Sequence, residues 1–269
     1  MYGNEIDTGL SSDQIRDEIE RAFAQSAARI ESAYQDLFAN PEDIEGLHRY
    51  RISLRVARSL AKFIAPYQKR SQNRALVRQL KTLQDPTSHI RELDVLEPLI
   101  QEHDDLHAIC EERRLQLRKE FLEEAQEPLT SGNIDHVVDR LTHITWKKDV
   151  ARYGIDALAL AGRVDAQQKY CAGAFAHLDF DDEETVHELR KKAKALRYVT
   201  RELHACLPES LRDATNDMRE MQDTLGKWRD ACVNADIVEK LGGEAGEEAV
   251  VYFREQAEME LDQLKALKE

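Results

Sequence analysis

Residues that make tight turns are scarce in this chain. Glycine supplies 11 and proline 6 of its 269 residues, about 4% and 2% where ordinary usage is near 7% and 5%. Aromatic residues reach only 6%. These shortages exclude a sandwich or barrel of many short strands, which needs turn residues and aromatic strand positions. No run of about 18 apolar residues is present, so no segment reads as a membrane-spanning helix. Met1-Tyr2-Gly3-Asn4-Glu5 lacks the basic-then-apolar order of a secretory signal, and a cytoplasmic location is expected. Cysteine is limited to Cys110, Cys171, Cys206 and Cys232, spaced 61, 35 and 26 residues apart. With no Cys-x-x-Cys pair and no clustered histidine they read as reduced, buried thiols and not as zinc ligands. Positive charge is in deficit too, 38 Lys and Arg against 52 Asp and Glu, a net charge of −14. Summed over the chain, that excludes a generally basic binder of nucleic acid, polyphosphate or anionic membrane.

What is plentiful is the material of long amphipathic helices. Charged residues make up 33% of the chain, and Ala, Leu, Glu, Arg and Lys are prominent, so the expected class is all-α. The few breakers divide the sequence into helical lengths. Ser11-Ser12-Asp13 caps a pattern of Ile15, Ile19, Phe23, Ala27, Ile30, Tyr34 and Leu37 that ends before Asn40-Pro41. A second length runs from about 44 to 65 and stops at Pro66, and a third reaches about Gln84. A fourth spans about 88–126, with Pro98 marking a kink or a boundary. Residues 126–133, with Pro128 and Gly132, read as the central loop. Beyond it, 134–176 is periodic but weakened by Gly154 and Gly162, and an acidic loop at 178–184 leads into a helix to Cys206. Pro208 opens a further helix that Gly226 is expected to end, and a last one runs over 229–267 with a break at Gly242, Gly243 and Gly246. The chain divides on this reading into residues 1–128 and 129–269, about four helical lengths in each.

Comparison of the halves exposes a repeat. An offset of 139 takes His48 to His187, Arg51 to Arg190, Arg55 to Lys194, Arg58 to Arg197 and Lys62 to Arg201. Positions +3, +7, +10 and +14 from the histidine return to one helical face, within an arc of roughly 80°. Each half therefore owns a helix with a histidine and four cations in one stripe. Ile52, Val56, Leu60 and Phe63 fill the neighbouring arc, so the stripe borders the core. Like charges three or four residues apart repel by a few tenths of a kcal/mol per pair, and no carboxylate interleaves within either stripe. A second echo, at offset 138, pairs Arg74 with Arg212, Lys81 with Arg219, Gln84 with Gln222 and Asp85 with Asp223. Arg70 and Arg78 extend that face in the first half.

At these residues the chain resembles the CHAD family, the conserved histidine α-helical domain. The resemblance rests on the two His-x-x-Arg helices and on Val-His-Glu-Leu-Arg-Lys-Lys-Ala-Lys-Ala-Leu-Arg-Tyr at 186–198. Arg91-Glu-Leu-Asp-Val-Leu, and Met221-Gln-Asp-Thr-Leu-Gly226 followed by Asp230, add to it. It covers about residues 10–265. It implies two four-helix bundles related by pseudo-twofold symmetry, with the basic helices of both lining one positive groove. It further implies non-catalytic binding of inorganic polyphosphate and association with polyphosphate granules; on the residue patterns no cofactor or metal is expected. The expected binding set is His48, Arg51, Arg55, Arg58, Lys62, Arg74, Arg78 and Lys81, with His187, Arg190, Lys191, Lys194, Arg197, Tyr198, Arg201, Arg212 and Arg219 from the second half. Exact equivalence of the two surfaces is interrupted where Tyr50 and Ser53 stand opposite Leu189 and Lys192.

Arg suits this chemistry through bidentate hydrogen bonds to phosphate oxygens, and Lys as a mobile point charge. Two rival readings stay open. In one, His48 or His187 accepts a phosphoryl group that neighbouring cations stabilise; in the other the chain is a helical adaptor. A metal enzyme fits less well: His103 and His107 stand four apart but beside Asp104 and Asp105, and read as exposed charge near a helix start.

Overall fold

The computed structural model describes residues 9–180, 182–213 and 219–266, with side chains at all of these except 128–131, 213 and 219–221. The described fold is all-α. Its helices are α1 (Ser12–Ala39), α2 (Ile44–Phe63), α3 (Arg70–Gln84), α4 (Ser88–Leu96), α5 (Asp104–Gln126), α6 (Pro128–Thr142), α7 (Lys148–Tyr153), α8 (Ala157–Ala176), α9 (Glu183–Glu202), α10 (Glu209–Asp213), α11 (Arg219–Gly242) and α12 (Glu247–Ala266), with short 3-10 turns between some of them.

Several starts follow from capping chemistry. Ser11 and Gln14 form a reciprocal capping box at α1: the Ser11 hydroxyl accepts from the Gln14 amide at 3.3 Å, and the Gln14 side chain accepts from the Ser11 amide at 2.8 Å. Asp43, Asp156 and Asp182 cap α2, α8 and α9 by accepting from Glu45, Ala159 and Thr185 amides. Pro98 lies in a 3-10 turn that separates α4 from α5, so the expected fourth length is two helices.

Two expectations about breakers fail for physical reasons. Residues 126–133 are not a loop: Pro128 sits in the first turn of α6, where a missing N–H costs nothing and a fixed φ suits the helix. Gly226 does not end a helix but lies inside α11, whose burial of Leu225 and Trp228 against α8, α9 and α12 outweighs the propensity cost of about 1 kcal/mol. Gly154 does stop α7, at φ 74°. A side chain there would strike the backbone of Ser12 and Asp13, and the close approach lets the Ile155 amide donate to the Ser12 carbonyl at 2.9 Å.

Apolar faces meet in three clusters. The largest joins α1, α2 and α3 with α6, the start of α8 and the end of α9, around Phe23, Tyr50, Leu54, Leu60, Val137 and Leu203. A second joins α8, α9, α11 and the end of α12. The third joins α4 and the start of α5 to α11 and the start of α12, through Leu96, Cys110, Val238 and Phe253. Helices from both sides of residue 128 thus share cores. Cys110, Cys171 and Cys206 are buried and free, Cys232 is partly buried, and burial pushes the Cys110 and Cys206 thiols up to about 11 and about 12.

α4 is tied down by a buried charge. The Asp94 carboxylate has no solvent exposure and lies 3.6 Å from Arg114 and 4.0 Å from Arg118 of α5. Burial raises its pKa against the pull of those guanidiniums. Arg118 also donates to the Pro41 and Asp43 carbonyls, so one side chain joins α4, α5 and the α1–α2 turn. Asp94→Ala would leave the largely buried guanidiniums of Arg114 and Arg118 without their carboxylate. Urea denaturation is expected to show a loss of about 3 kcal/mol; a variant within 0.5 kcal/mol of wild type, about the scatter of a neutral surface change, contradicts this account of α4.

Candidate functional site

α2 and α9 pack against each other, with their apolar residues committed to the first two clusters, and this sets the direction of both cationic stripes. α4 and α11 close the other sides. Between the four helices lies a cavity of about 460 Å³ lined by His48, Arg51 and Arg55 of α2, Arg91 and Glu92 of α4, His187, Arg190 and Lys194 of α9, and Arg229 and Asp230 of α11, with Ile52, Ser88, Val95, Val233 and Asn234 completing the wall. Six residues of the first half meet their offset mates here: His48 and His187, Arg51 and Arg190, Arg55 and Lys194 at 139, then Arg91 and Arg229, Glu92 and Asp230, Val95 and Val233 at 138.

The cavity continues in two directions. Through Arg190, Lys194 and Asp230 it opens into a second of about 390 Å³, walled by Arg197, Gln222, Asp223, Gly226 and Lys227. Gly226 has open space where a Cβ would stand, so the absent side chain widens this wall. Through Glu92, Arg229 and Val233 it meets a third of about 380 Å³, which reaches His89, Arg113 and Lys240. The three make one connected groove.

Six cations and two carboxylates line the central cavity, a local excess of positive charge within a chain of net −14. Arg55, Arg91, Lys194 and Arg197 make no side-chain hydrogen bond or ion pair with the described residues. Arg190 faces Asp230 at 3.3 Å, and Arg229 faces Glu183 at 3.5 Å. Arg51 is 8% exposed and donates to the Thr87 hydroxyl at 2.5 Å, with longer contacts to the Gln84 carbonyl and Ser88. It therefore holds the α3–α4 turn while presenting charge to the cavity. Burial pulls its pKa down to about 10, with Arg55 adding repulsion, and it stays cationic. Lys194 is pulled down to about 8, first by burial and then by Arg55 and Arg190. Both histidines are held below their ordinary value of 6.5 by burial, His48 further by Arg91 and Lys194, His187 by Lys191, Arg229 and Arg190. Nδ1 of His187 is buried without a hydrogen-bond partner.

Other expected residues fall elsewhere. Arg58 is half-buried beside Arg55, where the Asp85 charge favours it. Lys62 lines a separate pocket with Phe63, Tyr170 and Lys192, and Lys191 is paired with Glu188. Arg74 and Arg78 are exposed on α3, and Lys81 bonds Asp85 at 2.7 Å. Arg201 pairs with Glu202 at 2.9 Å. Arg212 donates to the Leu207 carbonyl at 2.7 Å. The Arg219 side chain lies outside the described residues. Tyr198 is the clearest departure: it is 4% exposed and belongs to the main core, because position 198 turns onto the apolar face with Leu196, Val199 and Leu203. Arg91 and Arg229 were missed as site residues. The offset of 138 that pairs Gln84 with Gln222 also pairs them, and extending it seven residues would have found both.

A family model described as CHAD domain matches residues 19–239. The chain belongs to the CHAD family. Its fold is similar to the crystal structure of the CHAD domain from the plant Ricinus communis, with a TM-score of 0.80 and 19% identity over 96% of this chain and 92% of that one. It is also similar to PptA from Streptomyces chartreusis, with a TM-score of 0.66 and 14% identity over 93% of this chain and 97% of that one. No curated protein matches the sequence. At these identities the solved structures speak for the fold, and the character of this CHAD domain's groove rests on its own residues.

The cationic groove has a cost that depends on pH. With folded pKa values below 6.5, the histidines bind fewer protons in the folded than in the unfolded chain as pH falls through 6.5, so the empty protein loses stability on acidification in that window. Denaturation at about pH 7.5 and about pH 5.5 is expected to show a smaller drop in a His48→Gln/His187→Gln variant. An equal drop in both proteins would show that the histidines do not carry it.

Proposed function

We propose that this CHAD domain binds inorganic polyphosphate, or a similar linear polyanion, in the groove between α2, α4, α9 and α11, and does so without catalysis. One observation carries the reading: six cations, five of them arginine, converge on a connected groove in which Arg55, Arg91, Lys194 and Arg197 have no partner among the described residues. Unpaired charges held in low dielectric are a standing demand for an anion. A single phosphate would satisfy one or two of them. A chain of phosphates running through three joined cavities engages cations from each, and every contact releases condensed counterions. Arg and Lys divide the work as bidentate and mobile partners.

In the same reading the chain is two helical bundles about a pseudo-twofold axis, with the division not at residue 128, because α6 begins there and packs against α1 and α3. The paired lining of the central cavity supports the twofold relation, as does the electrostatic influence of Arg55 on its offset mate Lys194. The acidic exterior repels duplex DNA and anionic membranes, and no helix among the described residues is long and apolar enough to cross a membrane. Residence in the cytoplasm, at polyphosphate granules, follows as part of the proposal.

Arg55 and Lys194 are the variants to test, because neither holds a hydrogen bond that folding needs, whereas Arg51 secures the α3–α4 turn. Titration of fluorescent long-chain polyphosphate should show salt-sensitive binding, weakened at least about tenfold by Arg55→Ala/Lys194→Ala, with the slope of log affinity against log salt smaller by roughly two. Unchanged affinity in that variant removes the groove as the binding site.

A further inference from the structure

The central cavity holds two carboxylates as well as six cations, and their placement is systematic. Glu92 and Asp230 are related by the offset of 138, as Arg91 and Arg229 are. Each lines the cavity with the arginine three residues beyond the histidine of its own half: Asp230 pairs with Arg190 at 3.3 Å, while Glu92 shares the wall with Arg51 without an ion pair and favours its charge at longer range. Each repeat thus places one carboxylate in the wall that carries its own arginine. Both carboxylates also stand at the junctions, Glu92 where the central cavity meets the third and Asp230 where it meets the second.

Neither is committed to a structural role. The Asp230 side chain is 56% exposed in its pair with Arg190, and pairs so exposed contribute little to stability. The short contact of Glu92 is with His89 on its own helix, itself 81% exposed. In an anion-binding groove such groups oppose the ligand, which needs an explanation.

We propose that Glu92 and Asp230 determine which polyanion the groove accepts. The inference rests on the polyphosphate reading and names the residues that give it selectivity. In the empty groove Asp230 pairs with Arg190, and Glu92 adds a second negative charge to the wall beside Arg51. A flexible, slender chain places its phosphates against the cations and bends past the carboxylates. A stiff polyanion with fixed phosphate spacing, of which duplex DNA is the type, cannot avoid them, and like-charge juxtaposition is the repulsive element that specificity requires. The net charge of −14 acts at long range and is screened beyond about 8 Å in physiological salt, whereas these two act at contact.

The test is competition at fixed ionic strength between fluorescent long-chain polyphosphate and duplex DNA, on the full chain, in wild type, Glu92→Gln/Asp230→Asn and Glu255→Gln/Asp262→Asn. The last pair lies exposed on α12, outside the groove, and changes net charge equally. In the groove variant duplex affinity is expected to rise about tenfold and polyphosphate affinity less than about threefold, collapsing the selectivity ratio, while the α12 variant keeps the wild-type ratio. Asp230→Asn alone gives an intermediate ratio and guards against misfolding of the double variant. An unchanged ratio in the groove variants, or an equal collapse in the α12 variant, overturns this inference and leaves polyphosphate binding standing. Wild type that fails to bind polyphosphate overturns the underlying reading instead.

Discussion

Mutual repulsion among cations is the constraint around which this molecule is arranged. Arg51, Arg55, Arg91, Arg190, Lys194 and Arg229 face one cavity, and partial burial lowers the dielectric that would otherwise screen them. Burial first, and neighbouring cations second, pull Lys194 down to about 8 and Arg51 down to about 10. A surface loop would relieve such repulsion by moving apart. Helices anchored in large cores cannot. α2 buries residues along almost its whole length, and α9 is fixed at its end by Leu196, Val199 and Leu203 in the main cluster and at its start by Val186 and Leu189 in the second.

The same constraint explains the buried polar groups. Asp94 is held without exposure between two arginines of α5, an arrangement that an apolar replacement could equal in stability. Its service is positional, since α4 carries Arg91 and Glu92 one turn before it. Arg51 resembles it in doing two things at once, closing the α3–α4 turn through Thr87 and contributing charge to the cavity. Helix packing and ligand chemistry are therefore not separable at these two residues, while Arg55 and Lys194 are free of structural duties.

The helical class, the ends of α1, α2 and α3, and both stripes were readable from sequence, because helical period and capping act locally and because the repeat displayed the stripe twice. Three features were not. Pro128 and Gly226 look like breakers, yet one is tolerated in a first turn and the other is carried by packing that only the assembled fold supplies. Tyr198 sits beside Arg197, and an extra 100° of helix puts it in the core. Arg91 and Arg229 lie in segments with no stripe of their own: the offset of 138 relates them, but their convergence with α2 and α9 on one cavity comes only with the fold. The expected set included cations at Lys81, Lys191 and Arg201 that the structure pairs with local carboxylates; for Lys81 and Lys191 the spacing of four and three residues permits the pair, and the rotamer decides whether it forms.

The separation of interior and exterior charge bears on what happens when many copies meet one long polymer. The groove accounts for a local surplus of cations, so the remainder of the surface is more negative than the chain's −14. On the proposed function, a copy seated on polyphosphate would present that surface to the next copy along the thread. Neighbours closer than about 8 Å, the screening distance at physiological ionic strength, would repel one another. Occupancy on that proposal would be anticooperative: the polymer decorated at intervals and not coated, the gap shrinking as salt rises, and bare stretches left accessible to other proteins.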